Sequence, residues 1–209
     1  MRSKPIQTAF FLLITSFISC AGRAQTDVAA SIYGTFTEKS TGNGIIQSPS
    51  NAAGTLVELR HIRNPLIGFE ATYSFNRANQ VYSNTNPTPA ACPFPGCTNP
   101  SSVSVPANAH QVTGDWVASL KVGHLRPFAL AGVGLLLDVP ANSQSNTTTT
   151  TKPVYVYGGG IDWGLLPHIG LRFQYRGNLY KAPDLTSLYT STDRFTHTAE
   201  PMIGAYFRF

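Results

Sequence analysis

The chain is short of charge. Asp, Glu, Lys and Arg make up only 12% of its 209 residues, about half the share usual in soluble domains, a poor composition for a soluble helical protein. No stretch keeps a helical period of apolar residues through three turns, so helices are not its building material. Long apolar runs are missing too. Ala9 to Ile18 is mostly apolar but spans only ten residues, against the ~18 that a membrane-spanning helix needs. Cysteine is scarce, with three in all. The net charge of +5 looks basic, but Arg2, Lys4 and Arg23 lie in the first 24 residues and leave twelve Lys and Arg against ten Asp and Glu. That balance lacks the electrostatic footprint of a nucleic-acid binder.

What is present begins with "MRSKPIQTAFFLLITSFISCAGRAQ". Two basic residues, a short apolar run and then small residues make a secretory signal peptide. With Gly22 and Ala24 at the cleavage site, residues 1–24 are a signal and 25–209 a single domain starting at Gln25. A competing reading takes "FISC" as a lipoprotein box acylated at Cys20, against the poor fit of Phe17 three places earlier. The other two cysteines, Cys92 and Cys97, lie in "ACPFPGCTNP". In an exported chain this close even pair suggests a disulfide. A metal site would need two more ligands, and no His, Asp or Glu stands within ten positions on either side.

Period-two alternation predicts strands near 28–37, 53–62, 66–77, 109–121, 127–137, 154–163, 168–180 and 195–208. Each is about ten residues, the length a tilted strand needs to cross a bilayer. Their connections alternate between short ("RNP", "VGHLR", "GLLP") and long (38–52, 78–108, 138–153, 181–194). Short turns on one side and long loops on the other are the asymmetry of a transmembrane barrel. The expected fold is therefore all-β, an eight-stranded antiparallel up-and-down barrel.

Facing follows from volume. In "HIGLRFQYRGNLY" Ile169, Leu171, Phe173, Tyr175 and Leu179 share one face, and Arg172, Gln174, Arg176 and Asn178 the other. Eight strands enclose a space that side chains only just fill, so the aromatic-rich face must point to lipid. The inward face then collects Glu58, Arg60, Glu70, Asp115, Lys121, Asp162, Arg172, Arg176, Glu200 and Arg208, five acids and five bases that can pair. They fill and satisfy the interior, or else line a charged constriction in a small pore. "PFALAGVGLLL" is apolar at both parities, and its facing is unreadable from pattern. Trp163, Phe207 and Phe209 fall near the short-turn side, and Phe36, Tyr73, Phe75, Tyr155, Tyr157 and Phe195 near the long-loop side, as interfacial belts do. Trp116 falls mid-strand and spoils the pattern.

Gly204, Phe207 and Phe209 in "PMIGAYFRF" resemble the C-terminal assembly signal of bacterial outer-membrane proteins, and Pro201 predicts a bulge. Together with "GFEATYSFNRANQ" and "KPVYVYGGGIDWGLLPHIGLRFQYRG", these residues make the chain similar to the OmpA-like small outer-membrane barrels, the outer membrane protein beta-barrel domain group. The resemblance covers roughly residues 27–209. It implies a Gram-negative-type outer membrane, contact with outer-membrane lipid and insertion by the barrel assembly machinery. It does not choose an activity, because the group holds adhesins, structural proteins, porin-like barrels and lipid-modifying enzymes.

An enzyme needs a nucleophile, a base and an orienting group in reach of one another. In "FTHTAEP", His197 and Glu200 differ in parity and point to opposite faces, so no catalytic residues are assigned. No cofactor or metal is implied. "GGG" at 158–160 lacks the strand-to-helix setting of a phosphate loop and reads as close backbone packing. The expectation is a monomer acting structurally or through its long loops on an extracellular ligand or surface, with a small pore as the alternative.

Overall fold

The computed structural model describes residues 25–63, 66–85, 102–142 and 146–209. The signal segment with Cys20, and the Cys92–Cys97 pair, lie outside the described residues. Ten strands are formed: β1 (Gln25–Thr37), β2 (Ser40–Gly42), β3 (Ile45–Pro49), β4 (Ala52–Ile62), β5 (Ile67–Asn84), β6 (Ser102–Ser119), β7 (Leu125–Pro140), β8 (Thr150–Gly164), β9 (Ile169–Lys181) and β10 (Phe195–Arg208).

Each strand from β4 to β10 pairs antiparallel with the next, and β1 pairs with both β4 and β10, so these eight close into a barrel with no free edge. Closure satisfies every backbone ladder inside the wall, as a bilayer demands. The predicted bulge at Pro201 is absent. β9 and β10 keep one register from Phe195 to Phe207, and β1 resumes its register with β10 on both sides of Pro201. The proline, lacking an N–H, interrupts the ladder without inserting a residue.

The remaining strands, β2 and β3, make a small hairpin in what was expected to be a plain loop. Asn43 and Gly44 at its tip have φ of 51° and 77°, the two positive values a type I′ turn requires. β3 then pairs with the far end of β5, Ile45 opposite Asn84. Both ends of the expected loop 78–108 are strand as well: β5 and β6 stay paired out to Ser83 and Ser102, forming an arm that rises past the other barrel strands.

Burial alternates along the barrel strands. On β1, Asp27, Ala29, Ser31, Tyr33 and Thr35 are buried, whereas Val28, Ile32 and Phe36 are exposed. The ambiguous strand β7 turns Phe128, Leu130 and Leu136 inward and Val133, Leu135 and Leu137 outward. Trp116, 60% exposed, is not mid-strand after all. It stands near the short-turn end of β6 and packs on Phe69 with ring centroids 3.9 Å apart, completing the aromatic belt at that interface.

Candidate functional site

The interior is a stack of four layers along the barrel axis. At its centre three arginines, Arg60 on β4 and Arg172 and Arg176 on β9, are each 0% exposed. Arg60 donates through Nε to Glu70 at 2.7 Å and lies 3.4 Å from Asp162 and 3.6 Å from Glu58. Arg172 donates through Nε to Asp162 at 2.6 Å and through Nη2 to Asp27 at 3.0 Å, and also pairs with Glu58. Arg176 reaches Glu70 at 3.1 Å, Asp115 at 2.9 Å and the Thr113 hydroxyl at 2.9 Å. Shared acids weld these groups into one network, since Glu70 joins Arg60 to Arg176 while Asp162 and Glu58 join Arg60 to Arg172. Charges taken out of water at a cost of several kcal/mol each survive only when paired in this way.

One side of the lumen is apolar. Val117, Phe128, Leu130, Leu136, Val154, Val156 and Tyr180 are packed together there, and the Arg60 guanidinium lies 4.0 Å over the Phe128 ring. Glycine makes this packing possible. A Cβ on Gly160 would come within 2.8 Å of the Phe128 ring, and one on Gly132 would collide with the Asp115 carboxylate. The triple glycine at 158–160 is thus a packing feature, as its sequence context indicated.

Above the network, toward the long loops, lies a small polar cavity of about 30 Å³ walled in part by Gln111, Asn178, Tyr180, Thr198, Asp138 and Glu200. Asp138 and Glu200 are buried and make no ion pair with a described residue. Over this cavity the 182–187 segment folds down as a cap. Leu185, fully buried, joins Ile45, Tyr82, Val105 and Ala107 in a second apolar cluster. Tyr82 donates its hydroxyl hydrogen to the Pro183 carbonyl at 2.6 Å and accepts from the Leu185 N–H at 3.1 Å. Gln47 on β3 donates to the same carbonyl at 3.1 Å, so the hairpin, the β5–β6 arm and the 182–187 segment lock together. The fourth layer is the short-turn mouth, where Lys121, Arg126 and Arg208 gather.

Of the ten charged residues read from the sequence, Glu58, Arg60, Glu70, Asp115, Asp162, Arg172, Arg176 and Glu200 are buried in the lumen. Arg208 is half-buried at the mouth, its guanidinium 5.0 Å over the Tyr206 ring. Lys121 is a correction: it lies two residues past the end of β6 and is exposed in the turn rather than inside the wall. Asp27, Arg126 and Asp138 also face inward and were not anticipated. Each lies one residue beyond a predicted strand end, so extending the alternation by one position would have found it. His197 and Glu200 do lie on opposite sides of the wall. Glu200 is buried, whereas the His197 ring shares a hydrogen bond of 2.9 Å with the Tyr157 hydroxyl on the outer surface.

The outside completes the case. Ile32, Val57, Leu59, Val112, Val133, Leu135, Tyr155 and Phe173 form an exposed apolar girdle around a closed barrel of eight strands, a surface suited to lipid. The chain has the fold of the small outer-membrane barrels. Outer membrane protein OprG from Pseudomonas aeruginosa superposes with a TM-score of 0.62 at 9% identity, over 90% of this chain and 97% of that one. Neisserial surface protein A gives 0.55 at 13% identity, over 88% and 97%. Ail, the attachment invasion locus protein of Yersinia pestis, gives 0.52 at 15% identity, over 90% and 100%, in a complex with the heparin analogue sucrose octasulfate. By sequence alone the chain matches no family model and no curated protein.

Proposed function

We propose that this protein is a monomeric integral barrel of a Gram-negative-type outer membrane, placed there by the barrel assembly machinery, that meets an extracellular ligand or surface through its long-loop end. The observation that carries this reading is the built, capped head. β3, the extended ends of β5 and β6 and the 182–187 segment share an apolar cluster of their own, which a protein needing only a lipid-spanning wall would not require. Loops on a rigid scaffold are the usual seat of recognition. That Ail, an attachment protein of the same fold, was solved with a sulfated sugar analogue supports a surface role.

The test is a deletion of residues 86–101, at the tip of the β5–β6 arm, together with the milder Cys92→Ser/Cys97→Ser pair. Both should keep the gel shift of a folded barrel between unboiled and boiled samples, while cells carrying them bind host-surface glycans and matrix less than cells with the wild type. Full binding by the deletion variant would leave the loop without a role. The alternative reading, a small pore, draws on the lumen being crossed by a polar network rather than a wholly apolar plug. Planar-bilayer recording separates the two, because a paired and capped lumen predicts brief, small openings at most. A large and steady conductance would favour the pore.

A further inference from the structure

At the short-turn end, the periplasmic end in a barrel of this kind, the lumen widens into a cavity of about 280 Å³. Its wall is made by the β6–β7 turn with Lys121 and His124, by Arg126 at the start of β7, by the β8–β9 turn from Leu165 to Pro167, and by Tyr206 and Arg208 at the end of β10. The charge of this cavity is lopsided. Deeper in the barrel every arginine is held by carboxylates, but Lys121, Arg126 and Arg208 make no ion pair with any described residue. The acid in the wall, Asp162, is already committed to Arg172 and Arg60.

Donors are left over as well. Arg126 gives Nη2 to the Gln25 side-chain carbonyl at 2.5 Å, which leaves its Nη1 buried without a partner, and Nε of Arg208 is buried and unpartnered too. Arg126 and Arg208 are also close enough to repel each other. Like charges held around a hollow, with guanidinium hydrogens unused, are a costly arrangement that an anion would relieve. Planar guanidinium forks suit the oxygens of a phosphate in particular. The rim adds a second feature: Leu165 and Leu166, 51% and 63% exposed, and Val122, 59% exposed, put apolar side chains in two turns where polar ones are usual. Basic groups behind an apolar lip are what a phosphate attached to an acyl chain would meet.

We propose that the periplasmic mouth of the barrel is a phosphate-binding site built by Arg126, Arg208 and Lys121. The shared chemistry is a phosphate group, supplied either as a free anion or as the headgroup of an anionic phospholipid from the inner leaflet.

Two arms distinguish the sources. In the first, refolded protein in a phosphate-free glucoside detergent is titrated with inorganic phosphate and with glycerol 3-phosphate by calorimetry. In the second, the protein is reconstituted in phosphatidylcholine nanodiscs with and without phosphatidylglycerol, and retained lipid is counted by native mass spectrometry. Arg126→Gln/Arg208→Gln should weaken binding roughly tenfold or more, as losing charged hydrogen bonds does, while Lys39→Gln at the opposite end changes nothing. Should the double variant lose its folded gel shift, Lys121→Gln/Arg208→Gln replaces it, because neither of those side chains is fully buried. Binding of the soluble phosphates that the variants lose supports the site with a free anion. Selective retention of phosphatidylglycerol that the variants lose supports it with a lipid. No binding in either arm, or equal binding by a folded variant, overturns it.

Discussion

Replacing Arg172 with Met asks whether the lumen is held by its charges or merely filled by them. The substitution keeps a long flexible side chain in the space and removes the guanidinium. Arg172 holds three acids, yet the loss is smaller than three broken pairs, because Asp162 and Glu58 keep Arg60 at 3.4 Å and 3.6 Å. Asp27 alone loses its one ion pair among the described residues, and its second oxygen has no hydrogen-bond partner there. Orphaning one buried charge costs about 3–5 kcal/mol, set against a total stability of about 5–15 kcal/mol for a domain. With a urea dependence near 2 kcal/mol per molar, the unfolding midpoint in lipid vesicles should fall by about 1.5–2.5 M.

The penalty is one of charge, so removing the charge should remove it. Arg172→Met/Asp27→Asn should regain most of the lost midpoint. Arg60→Met combined with Arg172→Met should cost more than the sum of the two, because each arginine covers for the other at Asp162 and Glu58. A wild-type midpoint for Arg172→Met, or no recovery with Asp27→Asn, would refute the view that ion pairing holds this lumen.

Phe209→Ser should reduce the folded fraction recovered from the outer membrane, read as the share of protein shifting on unboiled gels, because Phe209 packs edge-on against Phe207 at 5.1 Å and its N–H reaches Thr26 on the closing strand. Leu185→Asp puts a charge into the apolar cluster of the cap and should expose the 182–194 segment to protease while the barrel stays folded. At the long-loop surface, the Lys181 ammonium bound to Asp193 at 2.7 Å holds that carboxyl below its ordinary value. Its small stabilisation is present above the unfolded value and lost as pH falls through the folded one. Since the pair is exposed, Lys181→Met should return the Asp193 titration, followed by NMR, to the usual carboxylate range without moving the urea midpoint.

The barrel was legible because lipid imposes one rule on every strand, apolar outward and polar inward, and a period of two survives any choice of side chain. Reading stopped where that rule stopped. On β5 the apolar outer face of Phe69 and Tyr73 gives way beyond Phe75 to Arg77, Asn79 and Ser83, while the inward side changes from Glu70 and Thr72 to Tyr82. Above the bilayer the outer face meets water and the inner one, with Gln80 and Tyr82, builds the cap, so the alternation keeps its phase but loses its apolar outer face. A search for lipid-facing residues therefore ends the strand near 77, although β5 runs to Asn84. Asn43–Gly44 is a strong hairpin signal and forms the β2–β3 turn, but strands of three and five residues are too short for a period of two to show. β7 was unreadable for another reason: its inward residues pack the apolar side of the lumen, so both parities are apolar.

Sequence also showed a balanced set of lumen charges, but not how they are sorted along the axis. The balance holds only for the barrel as a whole. In the middle, Arg60, Arg172 and Arg176 are shared among five carboxylates, Asp27, Glu58, Glu70, Asp115 and Asp162, so every acid has a basic neighbour although acids outnumber bases. Asp138 and Glu200, which form no ion pair with a described residue, sit together above that layer, and Lys121, Arg126 and Arg208, which form none either, sit together below it. An ion entering from either end would meet a chamber that attracts one sign and then a paired layer with nothing to exchange. That arrangement suits two separate half-sites better than a through path. Sorting of this kind depends on strand tilt and stagger, which set the height each residue reaches in the wall, and period-two alternation carries no information about height.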